Sequence, residues 1–547
     1  MKPGRVIEGE VHDARQLARQ LVADAKHEAD AVLTGARAEA GKLTSDAEQL
    51  VQRVVDDARR YAEDLRGEAL REAGQVRREA RQAATQLINE ARDALQAERA
   101  SAVPAAPQEV FDVSARGIPA VDPRAGSLGR VTEVVGLVMR AELPGAELGE
   151  VVQIERTGGR PLPAEVVGFR GAEAVLMPLG ELAGVAADSR VVAQGEPLCI
   201  ECSDDLLGRV LDGLGQPLDG KPAVRGERWA VDRAAPSAFE RPQHAAPLVT
   251  GVRAIDGLLT LGRGQRVGIF AAAGVGKSTL LGQIARGASA DVVVVCQVGE
   301  RGRELGPLRE LLAARESRVV AVCATSDAPP LVRVRAVHVA TAIAEWFRER
   351  RGASVLLLVD SLTRLARAQR EVGLSAGEPV ARHGYPPSVF ALMPRLIERA
   401  GATAAGQITA LYTVLVAGND FDEPIADEVR GLVDGHLTLD RQLAQRAQFP
   451  PIDVVSSASR LMSSLVDPPH QQAADRVRRH LATYDEHRDM VTLGAYKAGS
   501  NPALDEAIAL ARRAHGFLSQ PAHELADWDD TIARLRELAG ASEPRRG

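Results

Sequence analysis

The sequence predicts a multidomain α/β protein. It has a long N-terminal α-helical coiled-coil rod, a small β-barrel, a parallel-sheet core and a C-terminal helical domain. Three observations carry this. An alanine repeat of period 11 runs through the first hundred residues. Short alternating apolar segments with glycine turns begin at Gly129, and from about residue 247 strand-length apolar runs alternate with helical patterns.

The rod spans residues 1–100. Alanine recurs at Ala14, Ala25, Ala36, Ala47, Ala58, Ala69, Ala80 and Ala91. Apolar residues stand four and seven positions after most of these, as at Ala18 and Leu21 or Ala29 and Val32. Three apolar positions in 11 residues make a period of about 3.67, which exceeds the 3.6 of a straight helix, so the stripe drifts towards a right-handed supercoil. The segment holds 17 basic and 19 acidic residues, mixed as on a solvated helix face. Unbroken from Ala14 to Leu95, the helix would run on the order of 120 Å. A lone helix folded back on the rest of the chain is the alternative. A stripe of this length favours a coiled-coil partner.

Residues 101–127 form a linker rich in Pro, Ala and Gly. The small barrel is placed at 128–204, from alternating segments such as Val151 to Ile154 and Ala164 to Phe169. The core is placed at 205–465, with strands and helices alternating as in a parallel sheet covered on both faces. Residues 466–547 read as helical.

Composition narrows the function. Net charge is −7 with a pI near 6.0, which argues against an obligate nucleic-acid binder. No apolar run reaches the ~18 residues of a membrane span. The N-terminus lacks a signal core, so a cytoplasmic location is expected. Four cysteines make no disulfide framework. Cys199 and Cys202 have C-x-x-C spacing without a second pair nearby. Two ordinary thiols are therefore expected, and a metal or redox role is the weaker alternative.

The chemistry begins at Val267–Phe270. This apolar run feeds Ala271-Ala272-Ala273-Gly274-Val275-Gly276-Lys277-Ser278-Thr279, and a helical pattern follows through Leu280, Leu281 and Ile284. Strand, small-residue loop and helix N-terminus together make a cradle for a triphosphate. Lys277 reaches the outer phosphates, and the Ser278 hydroxyl binds Mg²⁺. A second run, Val292–Cys296, leads into Gln297-Val298-Gly299-Glu300-Arg301, where a carboxylate could polarise an attacking water. A third, Val355–Val359, ends in Asp360, which suits a carboxylate that supports Mg²⁺ through its water shell. Phe449-Pro450-Pro451-Ile452-Asp453 and Arg460 follow.

Over about Gly129–Gln520 the chain resembles the export ATPases of type III secretion systems, virulence-associated or flagellar. These are relatives of the catalytic subunit of rotary ATP synthases. The resemblance lies in PLVTGVRAIDG (247–257), GRGQRVGIFAAAGVGKSTLL (262–281), VGERGRE (298–304), GYPPSVFALMPRLIERAG (384–401), PIADEVRGLVDGH (424–436) and FPPIDVVSSASRLM (449–462). It implies a RecA-like core that binds and hydrolyses ATP with Mg²⁺. It also implies a homohexamer at the cytoplasmic face of the secretion apparatus and peripheral to the inner membrane, with base and stalk proteins, export substrates and chaperones as partners. The opening residues resemble the N-terminal part of the stalk (stator) proteins of the same systems, so the chain would fuse part of a stator to its ATPase.

Residue by residue, the resemblance gives phosphate binding to Ala273, Gly274, Val275, Gly276, Lys277, Ser278 and Thr279, and metal support to Ser278 and Asp360. Glu300 becomes the general base or water-orienting carboxylate, with Glu304 as its rival. Arg301 and Arg364 support the site. Phe449 stacks on adenine, and Arg460 is an arginine finger presented to a neighbour's nucleotide. A non-catalytic nucleotide-binding subunit, an RNA translocase and a scaffold with secondary ATP use are the alternatives. Glu300 argues against the first of these. The second lacks a basic, aromatic RNA-binding module.

Overall fold

A computed structural model of the chain describes residues 127–237, 246–301, 306–315, 318–416 and 423–540. The rod, the linker through residue 126 and Glu304 lie outside the described residues.

Six antiparallel strands close the barrel. They are β1 (Leu128–Val135), β2 (Val138–Glu142), β3 (Glu150–Ile154), β4 (Leu162–Arg170), β5 (Glu173–Pro178) and β6 (Arg190–Pro197), in the order β1-β2-β5-β4-β3-β6. Alternate residues point inward, as the period of two requires. Val152, Ile154, Leu162, Ala164, Val166 and Val191 are fully or almost fully buried. The segment Cys199–Cys202, expected inside the barrel region, pairs instead with Glu227–Ala230 in a separate ribbon.

The core sheet has nine strands. Eight form one path: β7 (Val210–Asp212), β8 (Arg266–Ala271), β9 (Val292–Glu300), β10 (Val319–Thr325), β11 (Ser354–Asp360), β12 (Gln407–Leu415), β13 (Gly435–Leu439) and β14 (Ile452–Ser459). Their order is β14-β13-β8-β12-β11-β9-β10-β7, and the short strand Gly401–Ala402 pairs off β12. Every neighbouring pair on that path is parallel except β13 with β14. A run such as VVVVC is apolar throughout because both faces of β9 are covered. Val294 and Cys296 enter one core layer with Val337 and Ala340 of the helix Pro330–Arg351. Val293 and Val295 enter the other with Leu280 and Ile284 of the helix Lys277–Gly287 and Leu311 of the helix Gly306–Arg315.

Seven helices of this region matter for the site: α1 (Arg253–Leu258), α2 (Lys277–Gly287), α3 (Gly306–Arg315), α4 (Pro330–Arg351), α5 (Leu362–Ser375), α6 (Pro387–Ile397) and α7 (Pro424–Leu432). The barrel is tied to α4 by an ion pair in which Arg335 Nε donates to Glu165 Oε2 at 2.7 Å.

The C-terminal helices α8 (Pro468–Thr492), α9 (Pro502–Leu518) and α10 (Trp528–Leu538) start at side-chain caps. Asp467, Asn501 and Asp527 each accept from a backbone N–H in the first turn. Val477, Leu510, Phe517 and Leu535 share the core layer that holds α2. This packing brings residues 519–526 back to the loop ahead of α1. Arg253 donates to Phe517 O at 3.0 Å and Ser519 O at 2.6 Å, and Gln520 Nε2 donates to Gly251 O at 2.7 Å. Asp256, buried, accepts from Thr250 N, Thr250 Oγ1 and Gly251 N at 2.7–2.9 Å and so shapes that loop.

Candidate active site

The strand ends set the site. β8 ends at Ala271, and α2 starts at Lys277. Gly274 and Gly276 take φ of +79° and +103°, a region costly for any residue with a Cβ, so the loop can turn tightly there. Val275 is buried and pins the loop, while Ala273, Gly274, Ser278 and Thr279 are exposed. Gly276 offers no side chain to cap α2, so the first helical N–H groups remain for an anion.

β11 and β9 are neighbours of this loop's strand system, and both end in carboxylates. Asp360 is 4% exposed and Glu300 6%. The Lys277 ammonium pairs with Asp360 Oδ1. The same oxygen accepts from Thr413 Oγ1 at 2.8 Å. Ser361 begins α5 and caps it by accepting from Arg364 N, which aims Arg364 back across the strand ends. Arg364 donates to Glu300 Oε2 at 3.0 Å and also to the Gly299 carbonyl. Gly299 has φ +67°, and a Cβ there would sit 3.1 Å from Arg364 Cδ. A side chain at this position would be strained by its backbone and would push Arg364 aside. Glu300 is the last residue of its strand, and β9 runs on past the apolar run through Gln297 and Val298 to reach it. Arg301, next in the chain, is exposed.

Phe449 and Arg460 lie at opposite ends of β14. Ile452 pairs with Leu439, and Leu439 with Ala271, so the start of β14 lies at the phosphate-loop end of the sheet. Phe449, three residues earlier, is 47% exposed, and its carbonyl accepts from Gln520 N at 2.7 Å. The Gln520 loop in turn rests on α2, where Gln283 Nε2 donates to Glu524 O at 3.0 Å and Arg286 to Ala522 O at 2.8 Å.

Arg460 is elsewhere. Ser459 pairs with Gly435, and Gly435 with Val267, at the far end of β8. The Arg460 backbone N–H donates to Asp434 O at 3.1 Å, and the Asp434 carboxylate is gripped by Arg266 at 2.9 Å. Roughly 16 Å of strand separates Arg266 from Ala271. The exposed Arg460 side chain therefore belongs to a different surface from its own chain's phosphate loop.

Comparison with known proteins decides the family. Residues 251–459 match the model of the ATP synthase alpha/beta family, nucleotide-binding domain, and residues 466–537 match the T3SS EscN ATPase C-terminal domain. The chain is 50% identical over 414 residues to a type 3 secretion system ATPase of Xanthomonas euvesicatoria, covering 75% of this chain and 93% of that one.

The chain belongs to the type III secretion and flagellar export ATPases.

It is 46% identical over 420 residues to the flagellum-specific ATP synthase of Bacillus subtilis (strain 168), covering 76% of this chain and 96% of the relative. Among solved structures, assembled EscN of enteropathogenic E. coli superposes with a TM-score of 0.71 at 41% identity, covering 75% of this chain and all of that one. EscN in complex with its central stalk EscO gives 0.69 at 40% identity, with 75% and 100% covered. This export ATPase is thus a nucleotide-binding enzyme of the ATP synthase alpha/beta type.

The sequence-derived residues Lys277, Ser278, Glu300, Asp360 and Arg364 come together at one edge of the sheet. Phe449 is linked to the same edge through Gln520, and Arg460 is not. Three residues went unread in the sequence. Thr413 hides in an apolar strand, Gln520 lies in a loop far along the chain, and Gln297 stands between an apolar run and the Gly299-Glu300 pair. Cys199 and Cys202 share one strand but lie three residues apart, on opposite faces. Cys202 is buried, and burial pushes its thiol up to about 12, with Glu227 and Glu201 adding to the effect. Both features favour ordinary thiols.

Proposed function

We propose that this ATPase hydrolyses ATP with Mg²⁺ at the Lys277–Asp360–Glu300 edge, as a homohexameric ring in which each site receives Arg460 from a neighbouring chain. The carrying observation is the separation of Phe449 and Arg460 on β14. One end of the strand serves the chain's own site, and the other faces away from it.

The loop 273–279 holds the triphosphate with its backbone N–H groups, and Lys277 leaves Asp360 to meet the outer phosphates. Glu300, held by Arg364, orients the attacking water and draws on its proton. Arg301, next in the chain, supports the site, and Glu304 is the rival of Glu300 for the same task. The exposed face of Phe449 receives the adenine. The neighbour's Arg460 stabilises charge on the transferred phosphoryl group, a role worth about 10³–10⁵ in rate where it has been measured.

The oxygen-rich pair of Ser278 and Asp360 fits a hard cation such as Mg²⁺, which keeps several waters and few protein ligands. When bound, the metal supplies positive charge to the phosphate oxygens.

In the cell, the ring acts at the cytoplasmic face of a secretion base, where hydrolysis releases chaperones from export substrates and unfolds those substrates. Residues 1–100, by their 11-residue repeat, serve as the segment that pairs with a stalk-type partner and ties the ring to that base. Assembled EscN and its complex with the central stalk EscO support the ring and a stalk partner.

Phosphate release by the full chain, measured with Mg²⁺ and with EDTA across sedimentation states, tests this reading. Mg²⁺-dependent turnover that rises with assembly supports it. Equal turnover per chain in monomer and ring overturns the shared site.

A further inference from the structure

The stretch Val292–Glu300 holds one polar side chain before its terminal carboxylate, Gln297. Valines around it fill the layers on both faces of β9. An apolar residue would meet the packing need at 297 equally well, so the amide requires another explanation.

Register supplies one. On the adjacent parallel strand, Gln297 is the direct partner of Asp360. Both side chains line one small cavity at the foot of α2, together with Ser278. The remainder of that lining is apolar, from residues such as Leu281, Val295 and Leu358. Three polar groups therefore converge in an apolar recess, and two of them are the proposed metal residues.

The Gln297 Oε1 atom is buried and has no hydrogen-bond partner among the described residues. A buried acceptor left unpaired is destabilising, because it gives up its water without a replacement. Native proteins keep few of them, and the survivors usually mark a ligand, ion or water. Water on a divalent cation offers hydrogens outward and so needs acceptors around it.

We propose that Gln297 is a positioning residue for the metal, its carboxamide oxygen accepting a hydrogen bond from a water in the Mg²⁺ shell beside Asp360. It acts through that water and touches neither metal nor phosphate. This inference rests on the reading of Ser278 and Asp360 as the metal site.

Binding of a fluorescent ADP analogue to the full chain tests it, with Mg²⁺ titrated at saturating nucleotide and a parallel series in EDTA. Outer-shell partners of metal sites typically carry about 10–100-fold in metal affinity. Gln297→Leu should shift the Mg²⁺ midpoint upward by about tenfold, at the low end of that range, while affinity in EDTA and the melting temperature stay near wild type. Gln297→Glu keeps an acceptor and should hold the midpoint at or below the wild-type value. Gln297→Leu with an unchanged midpoint overturns the inference alone. So does a parallel loss of affinity in EDTA, which would indicate a packing role. A wild-type chain whose nucleotide binding ignores Mg²⁺ overturns both this inference and the metal site beneath it.

Discussion

Lys277 is docked on Asp360, its ammonium sharing Oδ1 with the hydroxyl of Thr413. The loop lysine and the strand-end carboxylate are thus joined directly. On the proposed reading, binding a triphosphate exchanges one anionic partner of Lys277 for another and opens Asp360 towards the metal.

Lys277→Ala should abolish hydrolysis, because no other cation reaches the outer phosphates from the loop. Phosphate release by the purified variant checks this. Activity within tenfold of wild type would contradict the role.

Glu300→Gln should keep nucleotide binding and lose turnover. The amide preserves the Arg364 hydrogen bond to the side-chain oxygen but not the charge. Positioned electrostatic groups of this kind are worth about 10²–10³ in rate. Single-turnover kinetics alongside an equilibrium binding curve separate the two effects. Turnover near the wild-type rate would pass the role to Glu304 or to neither carboxylate.

Acid should destabilise the fold through His338. Burial, with Arg335 and Arg399 adding to it, pushes this imidazole down to about 3, while its Nδ1–H donates to Val334 O. Unfolded histidine titrates near 6.5. Between those values the unfolded chain binds a proton that the folded chain refuses. The stability present above pH ~6.5 is therefore lost as pH falls towards ~3. The loss is about 2 kcal/mol at pH 5 relative to pH 7. Asp256 works in the opposite sense, since burial raises its carboxyl to about 6 and its contribution fades as pH rises through that value. Comparing melts of wild type and His338→Leu isolates the histidine. The variant should show the shallower acid slope, and equal slopes would remove His338 from the account.

Residues 1–100 should be dispensable for catalysis and required for secretion. A chain beginning at Ser127 retains the barrel, core and C-terminal helices and should hydrolyse ATP at a rate close to that of the full chain. Leu43→Asp, Val54→Asp and Leu65→Asp together should reproduce the loss of secretion, because three charges on an apolar seam cannot be buried cheaply. Normal secretion by the truncated chain would exclude the rod from the mechanism.

The phosphate loop was legible because strand, turn and helix are contiguous in the sequence. Asp360 and Glu300 were legible because apolar runs of strand length lead to them. Thr413 was not, because its meeting with Asp360 depends on β12 lying beside β11, and strand order across a sheet is written in no local segment. Gln520 was hidden for the same reason, at 269 positions from Gly251. The antiparallel turn of β14 was unread too, though it decides that Phe449 and Arg460 part company. The rod was the most regular pattern in the sequence, and it lies outside the described residues.

The shared active site is the central claim, and mixing two inactive chains tests it most directly. Lys277→Ala chains carry an intact Arg460, and Arg460→Ala chains carry an intact phosphate loop. Each alone should be nearly inactive. Once subunit exchange is verified by fluorescence energy transfer, rings mixed with an excess of Arg460→Ala chains should regain phosphate release, because some interfaces then hold both intact residues. Verified exchange without any recovery would contradict the account.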